Sequence, residues 1–190
     1  TNRNEPADYF HSRFRVNAAN TKLLNTGWVW HPMDIIELFD IKKSLIDNDL
    51  FDNPTSNATV NMADVCSAEF LSDDLIVISL FKNLKKPKHQ IGLFSIEKDK
   101  FIKKIDLKFQ LGTLIPLNEN YVIDLYKHPK LIDLNTGEVI QRFEGIDSGN
   151  QTSSRKSDKL VPIAFDKTNK RLAIGNGKKV ELLEFKKLFE

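Results

Sequence analysis

The chain has 190 residues, 41% of them hydrophobic and 28% charged, with 28 basic against 26 acidic side chains for a net charge of +2. That size and composition suit a folded domain with its own core and argue against wholesale disorder, and the charge balance makes no case for nucleic acid or an anionic membrane as partner. Cys66 is the one cysteine, so the chain forms no internal disulfide, and no apolar run approaches the roughly 18–20 residues that span a bilayer.

Residues 1–12 are polar and contain Pro6, a weak strand at best. The first patterned stretch, Phe14 to Leu23 (FRVNAANTKL), predicts a short strand, an Asn-rich turn and the start of a second strand. Trp28, Trp30, His31 and Met33 follow where the second strand passes to the third. Aromatic side chains on a loop anchor protein partners, and the competing reading has the two tryptophans covering a sheet edge. Residues 34–46 carry two signals. Ile35, Leu38, Phe39 and Ile46 recur near helical spacing behind an Asp34–Glu37 capping pair, yet a later copy of the segment reads as a hairpin. A strand is therefore expected, with a short helical turn over Lys42 to Asp47. Residues 47–63 form a polar link broken at Asn53-Pro54.

Ala68 to Leu80 (AEFLSDDLIVISL) predicts strand, turn at Asp73-Asp74, and a β-branched strand. Leu80 to Gly92 reads as a basic loop around Pro87, in which Lys85, Lys86, Lys88 and His89 suit a phosphate or an acidic partner, or simply water. Ile91 to Leu107 and Lys130 to Phe143 each predict a hairpin, the second turning at Asn135-Thr136-Gly137-Glu138, where Gly137 takes positive φ. Residues 145–160 are the most polar stretch, a loop carrying Arg155 and Lys156. The chain closes with Ile163 to Leu172 and RLAIGNGKKVELLEF, turning at Gly175-Asn176-Gly177.

These elements repeat. FRVNAANTKL aligns without gaps on IAFDKTNKRL (Ile163 to Leu172), and each is followed by a matching segment, ELFDIKKSL or ELLEFKKLF. Two weaker copies lie between. The landmarks Phe39, Phe94, Ile132 and Leu183 are 55, 38 and 51 residues apart, which brackets the spacing of propeller repeats. KLIDLNTGEVIQRFEG (Lys130 to Gly145) resembles the third strand, turn and fourth strand of a WD40 blade, with Asp133 at the position of that family's structural aspartate and Ile132 in place of its tryptophan. RLAIGNGKKVELLEF resembles the second and third strands of such a blade. The family's Gly-His and Trp-Asp dipeptides do not occur.

The resemblance to the WD40-like β-propeller family implies an all-β fold of about four four-stranded blades, approximately residues 12–52, 64–110, 112–146 and 158–190, within one propeller domain or part of a larger one. Four blades fall at the low end of ring sizes. The expectation is either the C-terminal part of a longer propeller or two arcs closing by self-association, with residues 1–12 the candidate for the missing fourth strand of the last unit. No catalytic residue, metal site or cofactor is expected, since His11, His31, His89 and His128 lack metal spacing and no nucleophile elbow or phosphate loop occurs. The function expected from the resemblance is a non-enzymatic scaffold binding another protein, in the cytoplasm. Trp28, Trp30, His31, Lys85, Lys86, Lys88, His89, Arg155 and Lys156 are its candidate contacts. A hydrolase or lyase acting at a central channel and a bacterial immunity-type binding protein are the alternatives.

Overall fold

Each repeat unit folds its runs of alternating or β-branched apolar residues into the strands of one antiparallel sheet. The computed structural model describes residues 9–29, 33–52, 56–58, 64–82, 87–150 and 161–186. The first sheet holds β1 (Tyr9–Phe10), β2 (Arg15–Val16), β3 (Lys22–Val29), β4 (Met33–Asp40) and β5 (Ser56–Ala58), with β1 and β2 sharing one edge of β3. The second is a four-stranded meander of β6 (Asp64–Phe70), β7 (Leu75–Lys82), β8 (Lys88–Ser95) and β9 (Lys100–Leu107). Next come β10 (Leu114–Pro116), β11 (Tyr121–Asp124), β12 (Tyr126–Lys127), β13 (Lys130–Asp133), β14 (Val139–Arg142) and β15 (Gly149–Asn150). Of these, β10-β11-β13-β14 form the third sheet, and β12 pairs with β15 as a separate ribbon. The last sheet is β16 (Ile163–Asp166), β17 (Arg171–Asn176) and β18 (Lys179–Glu184).

The sheets share one register. Leu23 pairs with Phe39, Ile76 with Phe94, Val122 with Ile132 and Leu172 with Leu183. The four landmark residues thus hold equivalent places on their third strands. On the first strands the same row continues with Val16, Phe70, Pro116 and Phe165. Bulges fall at the same point of two third-to-fourth-strand hairpins, between Leu93 and Phe94 and between Leu131 and Ile132. The left-handed residue of each turn lies five places beyond the landmark, Asp99 at φ 48° and Gly137 at φ 80°.

The core is laminated between successive sheets. Leu24, Ile36 and Leu38 of the first sheet pack against Val65, Ile76, Ile78 and Leu80 of the second. On its other face β7 sends Val77 into a cluster with Ile91, Leu114, Val122 and Ile132. Ile123, Leu125 and Leu131 then pack against Leu172, Ile174 and Phe185. A strand's side chains point alternately to opposite faces, so Ile76-Val77-Ile78 and Val122-Ile123 are buried on both, and their unbroken apolar runs follow from that. Among the described residues nothing gives the outer face of the last sheet such cover, and Val180 and Leu182 are 75% and 56% exposed.

The strand expected over residues 34–46, followed by a short helical turn, is what the chain forms, and two other local expectations change. Asp34 and Glu37 do not cap a helix, since both lie on β4, where Asp34 accepts a hydrogen bond from the Val65 backbone N–H at 2.6 Å. The helix, α1 (Ile41–Ile46), begins where the strand stops, capped by Asp40, whose carboxylate accepts from Lys43 N–H at 3.0 Å. Tyr9 and Phe10 pair with Val29 and Trp28 in the first sheet, so this part of residues 1–12 is not a strand of the last unit. The basic segment is shorter as a loop than expected, because Lys88 and His89 open β8. No helix among the described residues is long and apolar enough to cross a membrane.

Candidate functional site

A cavity of about 510 Å³ opens where the first strands of the four sheets come together. Arg13 and Arg15 enter it from β2 and the residues before it, Glu69 from β6, Thr113, Ile115 and Pro116 from β10 and its approach, and Ile163 and Phe165 from β16. Lys167, on the turn after β16, stands at its margin, and Leu125 and Val161 complete the apolar wall. A smaller depression next to it shares Pro116 and Lys167 and adds Lys170. A volume of this size falls in the usual range of small-ligand sites.

Hydrogen bonds between neighbouring first strands hold the polar side in shape. Arg13 donates from Nη1 to the Cys66 carbonyl and, at 3.1 Å, to Thr113 Oγ1, so one guanidinium spans three sheets. Arg13 has left-handed backbone, φ 49°, a conformation that costs a non-glycine residue on the order of 1 kcal/mol and collects at functional sites. Leu114 N–H donates to Ser67 Oγ at 2.9 Å, fixing β10 against β6. Arg15 donates from Nε to Glu69 and from Nη1 to the Phe14 carbonyl at 2.9 Å.

The electrostatics are lopsided. Among the described lining residues, Arg13, Arg15 and Lys167 face one carboxylate, Glu69, an excess of two positive charges. Burial lowers the Arg13 pKa and raises that of Glu69, the latter against the opposing pull of Arg15. Arg15 is still 42% exposed and Lys167 is exposed, so both reach solvent at the site. Cys66, whose carbonyl accepts from Arg13, is buried, and burial pushes its thiol up to about 11, far from a thiolate nucleophile at neutral pH.

The sequence-derived contacts lie elsewhere. Trp28, on β3, stacks on Phe10 of the paired strand β1 with ring centroids 4.2 Å apart. Lys88 is held 2.8 Å from Asp106, whose pKa is lowered by hydrogen bonds from Lys88 and Gln90. His89 stacks on Phe81 at 4.8 Å, and burial lowers its pKa. None of these three lines the cavity. Trp30, His31, Lys85, Lys86, Arg155 and Lys156 lie outside the described residues.

No family model matches the chain, and no curated protein matches it. Among solved structures it is similar to the computationally designed Ika8 protein, with a TM-score of 0.51 at 12% identity, over 92% of this chain and 45% of that one. A further similarity is to Hsv2 of Kluyvelomyces marxianus, with a TM-score of 0.45 at 11% identity, over 90% of this chain and half of that one. The chain spans about half the length of either. At such identities the likeness concerns fold alone.

The cavity residues were missed because each looks ordinary in its own segment. Arg13 and Arg15 alternate with Phe14 as on any solvent-facing strand, and Glu69 is a lone charge in an apolar run. The available signal was the repeat. Counting back from the shared register row, Arg15, Glu69 and Ile115 fall on the same first-strand position, and Arg13 and Thr113 on another.

Proposed function

We propose that the chain is a non-enzymatic binding module of the WD40-like β-propeller kind, its four sheets acting as blades and the cavity as its recognition site. One observation carries the reading: residues from the first strands of all four sheets line the same cavity. Successive antiparallel meanders in one register, stacked face to face with their first strands innermost, are what that architecture requires. The occupant on this reading is part of another protein, drawn in by the excess positive charge of Arg13, Arg15 and Lys167.

Affinity capture on the immobilised protein tests this, comparing wild type with Arg15→Glu. A stoichiometric partner retained by the wild type and lost by the variant supports the reading. Equal retention by both places recognition outside the cavity and overturns it, as does turnover of a small substrate without any retained partner.

A further inference from the structure

We infer that the cavity binds an organic carboxylate carried on an apolar body, with Arg15 and Lys167 taking the carboxylate and Ile163 and Phe165 the body. The inference rests on the binding-module reading for the importance of the site, and it names the ligand chemistry.

Glu69 already illustrates the chemistry on the polar side. Its carboxylate sits on Arg15 Nε, a charge-assisted hydrogen bond of the kind arginine makes to planar anions. Arg15 Nη1 is spent on the Phe14 carbonyl, so among the described residues the guanidinium edge bearing Nη2 remains for a second carboxylate. Lys167 has no ion-pair partner among the described residues, and it borders the cavity on the β16 side. A ligand carboxylate between the two cations meets the local charge excess without displacing Glu69. Arg13, committed to Cys66 and Thr113, holds its positive charge behind them.

The remaining lining decides what the carboxylate is attached to. Ile115, Pro116, Leu125, Val161, Ile163 and Phe165 form a continuous apolar wall. A small inorganic anion leaves that wall wet, whereas an aryl or branched alkyl group covers it. Burying such surface contributes roughly 25 cal/mol per Å². Two sources supply this chemistry: a free small acid, and the C-terminal residue of a peptide with an apolar side chain.

Calorimetric titration of the whole chain separates them. The probes are 3-phenylpropionate, a tripeptide ending in phenylalanine with a free carboxylate, the same tripeptide as its C-terminal amide, and inorganic phosphate. At least one of the two carboxylate probes is expected to bind at least tenfold more tightly than the amide and phosphate. Tighter binding of the peptide identifies a chain terminus as the source, and tighter binding of the free acid identifies a small molecule. Lys167→Gln and Arg15→Gln are each expected to weaken binding about tenfold. Lys167 is exposed, so its variant keeps the test valid even if Arg15→Gln unfolds. Equal binding of the amide, equal binding of phosphate, or unchanged affinity in Lys167→Gln overturns the inference. Those outcomes leave an Arg15-dependent protein partner intact, and failure of partner capture leaves a measured carboxylate affinity intact.

Discussion

Lys130 Nζ lies 2.6 Å from Asp124 Oδ2, with the two side chains 7% and 0% exposed. Lys130 also donates to the carbonyls of Tyr126 and His128 at 2.7 and 3.0 Å, so its three protons are all placed. Asp124 accepts from Gly112 N–H at 2.7 Å with its other oxygen. This pair fastens the β12 excursion and the approach to β10 onto the third sheet. Burial raises the Asp124 pKa, and Lys130, with the Gly112 and Tyr126 N–H groups, opposes that rise. Removing one partner of a buried pair strands the other's charge. Lys130→Met is therefore expected to cost about 3–5 kcal/mol, read from the midpoint of denaturant unfolding. A loss below about 1 kcal/mol would mean that the pair is solvated and does not pin the sheet.

Gly137 and Gly177 test two different origins of a glycine requirement. Both have left-handed backbone, φ 80° and 61°. A Cβ on Gly137 would lie 2.5 Å from Ile105 Cγ2, a buried atom of the neighbouring sheet, while one on Gly177 would meet nothing within 4 Å. Gly177→Ala is expected to cost the backbone penalty alone, about 1 kcal/mol. Gly137→Ala adds a clash with a packed core side chain and is expected to cost about 1–3 kcal/mol more. Paired thermal melts measure the difference, and equal losses would disprove the contact between the β13–β14 turn and β9.

What the sequence made legible follows the physics of each segment. Leu75 to Ile78 and Tyr121 to Ile123 read as strands because burial on both faces demands unbroken apolar side chains, and Gly137 read as a turn because its φ excludes most other residues. The 34–46 ambiguity arose from a real feature. Apolar side chains needed on β4 run directly into α1, and the boundary rests on one cap, Asp40 to Lys43, which competed with the false pair at Asp34 and Glu37. The cavity was not legible, because it is assembled from single residues on four first strands and no window of sequence contains it. The aromatic and basic clusters that did stand out are partly absorbed by local contacts, Trp28 by Phe10 and Lys88 by Asp106.

Glu69 predicts a pH response of both stability and binding. Its pKa is raised in the folded chain by burial, with Arg15, Lys167 and Arg13 the facing charges that act against the rise. A carboxyl with a raised folded pKa binds its proton more tightly in the native state. Its contribution is thus fully present below the unfolded value and is lost as pH rises through the folded value. Relative to Glu69→Gln, the wild type should therefore gain stability as pH falls through the mildly acidic range. Glu69→Gln should also bind a carboxylate probe several-fold more tightly at neutral pH, since one competing negative charge is gone. Urea titrations at a series of pH values and a single-pH binding titration check the two halves. Weaker carboxylate binding by the variant would show that Glu69 contributes an attraction the ligand needs.

The two faces of the last sheet make opposite predictions for leucines one strand apart. Leu172 on β17 is fully buried with Ile123, Leu131 and Phe185. Leu182, on β18, pairs with Ala173 and points the other way, where it is more than half exposed beside Val180. Leu172→Ala removes atoms from a closed cluster and is expected to cost about 2–5 kcal/mol. Leu182→Lys is expected to stay within about 0.5 kcal/mol, as surface changes generally do. Sedimentation adds an independent reading. If a second copy covers this face in solution, Leu182→Lys will dissociate it at unchanged fold. If the monomer is already the species present, the variant will raise solubility without altering mass, because an exposed apolar row next to strand edges is where sheets self-associate. A loss of several kcal/mol in Leu182→Lys would contradict the face assignment and place a covering element over Val180 and Leu182 within the chain itself.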